Sequence, residues 1–118
     1  ADPSNANALN ARCRLLIDLG RAHDALADCD KAVDMMPDHA VVWINRADAH
    51  FKLAQWKLAI GDYDGALKAE SNVATALYAR GLAKLKDGDT HGGHADIADA
   101  KHLQRDVEAV TARRGIRP

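Results

Sequence analysis

Apolar and small residues recur at helical spacing near the start of the chain. Leu9, Cys13 and Leu16 lie at i, i+4 and i+7, which places them on one face of a helix, and Arg12 lies beside them at i+3. Gly20 then interrupts the pattern, as a glycine with access to positive φ does at a helix end. The pattern predicts an amphipathic helix that ends before this glycine.

A second helix is predicted after the break. Ala25, Cys29 and Ala32 resume the spacing at i, i+4 and i+7. Pro37 cannot continue that helix, and Asp38 is suited to cap the next one. The small side chains in both stretches indicate two antiparallel helices that approach closely.

This pair of helices repeats with a period of 34 residues, and the segments 6–39, 40–73 and 74–107 align without gaps. One pair cannot bury its own apolar face, so stacked units share a continuous core. The residues that share a register are Leu9, Trp43 and Leu77; Arg12, Arg46 and Arg80; Cys13, Ala47 and Gly81; Leu16, His50 and Lys84; Gly20, Ala54 and Gly88; Ala25, Ala59 and Gly93; Asp28, Asp62 and Asp96; Cys29, Tyr63 and Ile97; and Ala32, Ala66 and Ala100.

The register resembles that of the tetratricopeptide repeat (TPR) family, whose unit carries large, small, large, Gly, Ala, aromatic, Ala and Pro positions at fixed offsets. The second repeat has Ser71 where proline is usual, and the third deviates at Lys84, Gly93 and Arg105. The resemblance covers essentially the whole chain. It implies an all-α protein, a right-handed α-solenoid of three helix-turn-helix repeats. The first repeat matches the pattern with Leu9, Cys13, Leu16, Gly20, Ala25, Cys29, Ala32 and Pro37.

The two ends of the chain are expected to differ. Residues 1–5 look like the tail of a preceding repeat, because Pro3 lies 34 residues before Pro37. We therefore expect the sequence to begin inside a longer array. Residues 107–118 are expected to form a capping helix and a tail, so that residues 1–118 make a single domain.

The capping helix is expected to run from Val107 to Arg114. Asp106 is suited to cap its start and Gly115 to end it. Such a helix would cover the exposed face of the third repeat.

The TPR resemblance also implies a binding surface, because the second, fifth, sixth, ninth and twelfth positions of each first helix line a concave groove in that family. Asn45 has an amide that can donate to and accept from a peptide backbone, and Arg14 can hold a carboxylate. The alternative is that Val41, Ile44 and Phe51 are partly buried neighbours and that Asn45 is a solvated helix residue. The candidates for partner binding are Asn10 and Arg14 in the first repeat, Val41, Ile44, Asn45, Asp48 and Phe51 in the second, and Thr75, Tyr78 and Leu82 in the third; Asn7, Ala11, Ile17, Ala79 and Leu85 occupy the remaining positions.

One TPR subfamily clamps the C-terminal carboxylate of chaperone peptides with lysine, asparagine and arginine side chains. Asn45 alone matches such a clamp in place. Asn10, Arg14, Thr75 and Ala79 stand where the other clamp groups are expected. We therefore expect no carboxylate clamp.

Composition and charge exclude several classes of protein. Hydrophobic residues make up 47% of the 118 residues and charged residues 28%, which is typical of a folded domain. No apolar run approaches the ~18 residues needed to span a bilayer, so membrane insertion is not expected. Sixteen basic and seventeen acidic residues leave a formal net charge of −1, and no segment concentrates the basic ones, so nucleic acid is not an expected partner.

Cys13 and Cys29 occupy positions that face each other within the first pair of helices. A disulfide is plausible there if the Cα atoms approach within about 7 Å. The alternative is a pair of small buried thiols that pack as apolar groups. A bond would favour the periplasm, whereas free thiols would leave the compartment undecided.

No metal site, cofactor site or catalytic constellation is expected. His91 and His94 share a helix face, but His102 lies too far along to ligate the same ion. The serines, Ser4 and Ser71, lie at repeat boundaries without a neighbouring base. We therefore expect a protein that is not an enzyme.

Short strings also resemble those of small TPR proteins of alphaproteobacteria, many of which carry an export signal. The strings are the two cysteines, the segments 80–85, 92–93 and 95–97, and the closing Gly115-Ile116-Arg117-Pro118. This resemblance slightly favours a bacterial, exported or periplasmic protein, with the cytoplasm as the alternative.

The sequence thus favours a scaffold for protein–protein interaction that binds a peptide or a partner segment in its groove. The alternative is a structural module that assembles with itself into a homo-oligomer, whether natural or engineered. Exposed apolar residues such as Trp56 and Leu58 are the candidates for that contact.

Overall fold

The computed structural model describes residues 3–118, with side chains from residue 5 onward. The described residues form helices joined by short turns and contain no strand. The helices are α1 (Pro3–Asp18), α2 (Ala22–Met35), α3 (Ala40–Lys52), α4 (Trp56–Ala69), α5 (Ala74–Lys86), α6 (Thr90–Leu103) and α7 (Val107–Ala112).

Helices that are neighbours in sequence pack against each other along the whole chain. The pairs α1–α2, α3–α4 and α5–α6 correspond to the three sequence repeats, and α3 also contacts α1. The resulting stack measures 42 × 25 × 22 Å. The all-helical class predicted from the sequence is confirmed. No helix among residues 3–118 has the length and apolar character needed to cross a membrane.

The turn inside each repeat needs a residue with positive φ. Gly20 and Gly88 adopt φ values of +78° and +95°, in the region where glycine has no steric penalty. Ala54 holds the same position in the second repeat at φ +58°. An alanine in this conformation is destabilised by repulsion between its Cβ and the following carbonyl oxygen, which glycine avoids.

The helices at both ends of the stack have different bounds from those expected from the sequence. Helix α1 begins at Pro3, a residue that suits a first helical position because its missing N–H would have no partner there. Residues 3–5, which the register relates to the tail of a preceding unit, are thus the first turn of α1; Ala1 and Asp2 lie outside the described residues. At the other end, α7 stops at Ala112 rather than Arg114. The amides of Arg113 and Arg114 bond three residues back, and Gly115 at φ +78° then reverses the chain.

Two predicted helix caps are wrong. Helix α3 begins at Ala40, so its N-cap position falls on His39 rather than Asp38, and no side chain caps it. The side chain of Asp106 does not cap α7 but accepts a hydrogen bond from Nε2 of Gln104 over 3.1 Å. A side-chain cap does form at α6, where Asp89 accepts from the amide of Gly92 over 2.9 Å.

The apolar core extends through the second and third repeats. Tyr63 is its largest fully buried side chain, and Val107 of α7 is also fully buried in it. Trp56, expected to be exposed, is half-buried, because its ring packs edge-on against Phe51 with centroids 5.1 Å apart. Leu58 is exposed as expected.

Candidate functional site

The groove positions of the three repeats divide into an open part and a covered part. Val41 is 51% exposed, and Asn10, Arg14, Ile44 and Thr75 are half-buried. In contrast, Asn45, Asp48, Phe51, Tyr78 and Leu82 are buried. The open part therefore lies on the first repeat and at the beginnings of α3 and α5.

Asp48 is the centre of a polar cluster within the covered part. Its carboxylate is completely buried and accepts hydrogen bonds from Nη1 of Arg14 over 2.8 Å and from Nε of Arg114 over 2.8 Å. The hydroxyl of Tyr63 donates to the other carboxylate oxygen. Burial and the negative charge of Asp48 together raise the pKa of Tyr63 well above its ordinary value. These donors compensate the cost of burying a carboxylate.

Asn45 connects this cluster to the open part of the groove. It is 4% exposed, so the alternative of a solvated helix residue is wrong. Its Oδ1 accepts from Nη1 of Arg14 over 3.3 Å, and its Nδ2 donates to Oδ1 of Asn10 over 2.8 Å. The network fixes the orientation of Asn10 and Arg14 at the edge of the open groove.

The C-terminal segment, defined here as residues 107–118, contributes to the covered part. Helix α7 packs mainly against α5, and Ile116 is fully buried in the same apolar cluster as Phe51, Tyr78 and Leu82. Burial and the nearby carboxylate of Glu108 raise the pKa of Tyr78. The segment also extends beyond the third repeat, since Arg114 reaches Asp48 on α3.

The twelfth groove positions face the core rather than the groove. Ile17 is fully buried beside Cys13 and Cys29, and Phe51 packs on Trp56. Leu85 packs on α6 over Gly93, where a Cβ would lie 2.6 Å from its Cδ2. Three residues advance a helix by roughly 300°, so the twelfth position lies about 60° around the helix from the ninth, which is enough to bring it against the partner helix.

Sequence reasoning missed the contribution of Arg114 and Ile116 to this site. One local signal was available, since an apolar residue directly after a helix-ending glycine commonly folds back onto the helix. The amide of Ile116 donates to the carbonyl of Thr111 over 3.4 Å in this arrangement. The distance of 66 residues between Asp48 and Arg114 in sequence left no comparable signal for their pairing.

Cys13 and Cys29 form a disulfide between α1 and α2, with Cα atoms 5.2 Å apart. Both residues are fully buried. Within the described part of the chain, no group of three His, Cys, Asp or Glu side chains is arranged to hold a metal ion.

Comparisons with curated proteins give two relatives. The chain is 31% identical over 99 residues to "TPR repeat-containing thioredoxin TDX" of Arabidopsis thaliana, a match that covers 84% of this chain and 26% of the relative. It is 32% identical over 98 residues to "RNA polymerase II-associated protein 3" of Xenopus tropicalis, covering 83% and 15%. The chain thus spans about a quarter or less of the length of these relatives.

The fold is shared with solved structures, among them the following two. The structure titled "First TPR of Spaghetti (RPAP3) bound to HSP90 peptide SRMEEVD" matches with a TM-score of 0.84 at 20% identity, over 98% of this chain and 94% of that one. "Crystal structure of MamA" matches with a TM-score of 0.83 at 20% identity, over 99% and 72%.

No family model matches the chain. The resemblance to alphaproteobacterial proteins stays a prediction from the sequence. The three 34-residue repeats, the paired helices and the TPR-containing relatives agree with one another. The chain belongs to the tetratricopeptide repeat family.

Proposed function

We propose that the chain is a non-enzymatic protein-interaction module that binds an extended partner segment in the open part of its groove. The observation that carries the proposal is the network of Asn10, Asn45 and Arg14 beside the exposed side chain of Val41. An amide and a guanidinium at a groove edge can bond to a peptide backbone, while an exposed valine contacts an apolar side chain.

The preordered geometry of this surface supports the proposal. Asn45 is held from both sides, so Asn10 and Arg14 need little reordering when a partner binds. The solved structure titled as bound to an HSP90 peptide has a similar fold, which supports segment binding by this kind of groove. The expected lack of a carboxylate clamp predicts that the present chain prefers other segments.

Selection from a random peptide library, followed by affinity measurement, tests the proposal. We expect Val41→Asp to weaken binding of the selected peptides by about tenfold, because a charge replaces the apolar contact. Leu103→Asp is the matched control, since Leu103 is also 51% exposed but lies on α6. Equal weakening by both variants, with unchanged helical circular dichroism, would contradict the groove as the site.

Self-assembly is the second candidate function. Leu15 lies in the last turn of α1 and Leu19 directly after the helix, and they are 56% and 63% exposed. Neighbouring exposed leucines of this kind are common at protein contacts. Sedimentation over a concentration series tests the idea: a mass that rises with concentration, and that falls back in Leu15→Glu/Leu19→Glu, supports it, whereas a strict monomer excludes it.

A further inference from the structure

We propose that the buried site around Asp48 is a second recognition site of the groove, specific for a segment with an arginine followed two residues later by an aliphatic residue. The C-terminal segment of this chain occupies that site with Arg114 and Ile116. A partner segment of the same chemistry displaces it. The proposal rests on the groove function above and adds a site and a ligand class to it.

Charge is the first argument for this ligand class. The Asp48 carboxylate has no exposure to solvent, and Arg114 supplies two of its hydrogen bonds, over 2.8 and 3.4 Å. Arg14 supplies a further bond, to the same carboxylate oxygen (Oδ2) that accepts from Nε of Arg114. When Arg114 leaves, a buried carboxylate loses one of its two cations, so any segment that replaces it must bring a cation.

Shape is the second argument. Gly115 separates the two anchoring residues and adopts φ +78°. A Cβ at this residue would meet only the end of the flexible Lys52 side chain, which can move aside, so the constraint on the middle position is its positive φ. Ile116 is fully buried in the cluster that contains Tyr78 and Leu82. The site therefore combines a buried anion, a middle position that favours glycine, and an apolar pocket.

The C-terminal segment is attached weakly enough for a partner to displace it. Helix α7 has six residues, and helices this short are marginal in water unless packing supports them. The short linkage gives the segment a local concentration on the order of millimolar. A free segment that carries only the same two anchors therefore competes poorly with the attached segment. A partner that also contacts Asn10 and Val41 binds at two linked sites, and its higher affinity lets it displace the segment. The C-terminal segment thus acts as an internal competitor.

Binding of a labelled peptide with the sequence of residues 106–118 tests the proposal by fluorescence anisotropy. The release variant is Arg114→Gln/Ile116→Ser, which removes both anchors of the attached segment. We expect it to bind the peptide at least about tenfold more tightly than the unaltered protein does. Arg113→Gln is the matched control, because Arg113 is exposed and makes no ion pair among the described side chains, and we expect it to behave as the unaltered protein.

The chemistry of the ligand is tested with a second peptide that carries Gln and Ser in place of the same two anchors. We expect the release variant to bind this peptide at least about tenfold more weakly than the first one. If the double variant loses its helical circular dichroism, Arg114→Gln alone replaces it, with an expected gain of about threefold over the unaltered protein.

Two results would overturn the proposal: a folded release variant that does not bind the first peptide, or an Arg113→Gln variant that gains as much as the release variant. Neither result affects the outcome of the groove test, in which Val41→Asp is expected to weaken binding of the peptides selected from the library. Failure of the second site is therefore distinguishable from failure of the groove function.

Discussion

Arg80 donates from Nη1 to Asp64, which belongs to the preceding repeat, over 2.8 Å. The same guanidinium donates from Nε and Nη2 to Asp96 in its own repeat, over 2.8 and 2.9 Å. One repeat earlier, Arg46 binds Asp62 and Asp30 in the same way. Each of these arginines therefore joins the two helices of its own repeat and also links that repeat to the preceding one.

The two carboxylates bound to Arg80 differ in exposure, which predicts different contributions to stability. Asp64 is 55% exposed and Asp96 is 8% exposed at the side chain. We expect Asp64→Asn to lower the free energy of unfolding by about 0.5 kcal/mol, as is usual for exposed ion pairs. For Asp96→Asn we expect about 2 kcal/mol, since it weakens charged hydrogen bonds in a buried setting. Urea unfolding measures both, and equal losses would argue against burial as the cause.

The pKa of Asp96 predicts how stability depends on pH. Burial alone would raise this pKa, but hydrogen bonds from Arg80 and Lys84 outweigh it and hold the pKa below the usual value of 3.8. The unfolded chain therefore binds the proton at higher pH than the folded chain does. The contribution of Asp96 is complete above pH 3.8 and is lost as the pH falls through the lower, folded-state pKa.

Urea unfolding of the unaltered protein and of Asp96→Asn, at a series of pH values from about 7 down to about 2, checks this sign. We expect the difference in unfolding free energy to stay constant down to roughly pH 4 and to narrow below it, because a protonated aspartate resembles asparagine. A difference that stays constant throughout would show that the charge of Asp96 contributes nothing.

The repeats make much of the fold predictable from the sequence but not the covered part of the groove. The 34-residue register shows that Arg12, Arg46 and Arg80 occupy the same position in successive repeats, and it also shows the turn at Gly20. Periodicity reports contacts that recur in every repeat. The bond from Arg114 to Asp48 occurs once and joins residues 66 apart, so no repeated pattern encodes it. For the same reason Asn45 could be placed on the groove face, while its burial could not be predicted.

Ala54 is a position at which the sequence departs from the best residue for its backbone. Its φ of +58° is unfavourable for alanine, and the same turn position holds glycine in the other two repeats. We expect Ala54→Gly to raise the free energy of unfolding by about 1 kcal/mol.

Gly20→Ala is the reciprocal control for this turn. A Cβ at Gly20 would meet no atom within 4 Å, so the substitution isolates the backbone effect. We expect a loss of about 1 kcal/mol, measured by thermal or urea unfolding of both variants. A loss of stability in Ala54→Gly would show that greater freedom of the unfolded chain outweighs the relief of the turn.

The disulfide between Cys13 and Cys29 is expected to stabilise the first repeat. It closes a loop with a sequence separation of 16, for which the restriction of the unfolded chain contributes about 3 kcal/mol. We expect dithiothreitol to lower the midpoint of thermal unfolding accordingly. Cys13→Ala/Cys29→Ala is the control and should show no response to the reductant. An equal response in this variant would mean that the reductant acts elsewhere.

Two glycines on α4 provide the sharpest test of packing between the two helices of the second repeat. A Cβ at Gly65 would lie 2.5 Å from Cε3 of Trp43, whereas a Cβ at Gly61 would meet no atom within 4 Å. The indole of Trp43 cannot easily yield, because its Nε1 donates to the carbonyl of Pro37 over 2.8 Å and the guanidinium of Arg46 lies over its ring.

We therefore expect Gly65→Ala to lower the free energy of unfolding by about 2 kcal/mol, and Gly61→Ala to raise it by roughly 0.5 kcal/mol through improved helix propensity. Urea unfolding monitored by circular dichroism measures both variants. The fluorescence maximum of Gly65→Ala should also shift, since the indole must move to admit the methyl group. If both substitutions raised stability, the close packing of Trp43 on the bare backbone of α4 would be disproved. The contact between α3 and α4 would then have to be looser than the structure shows.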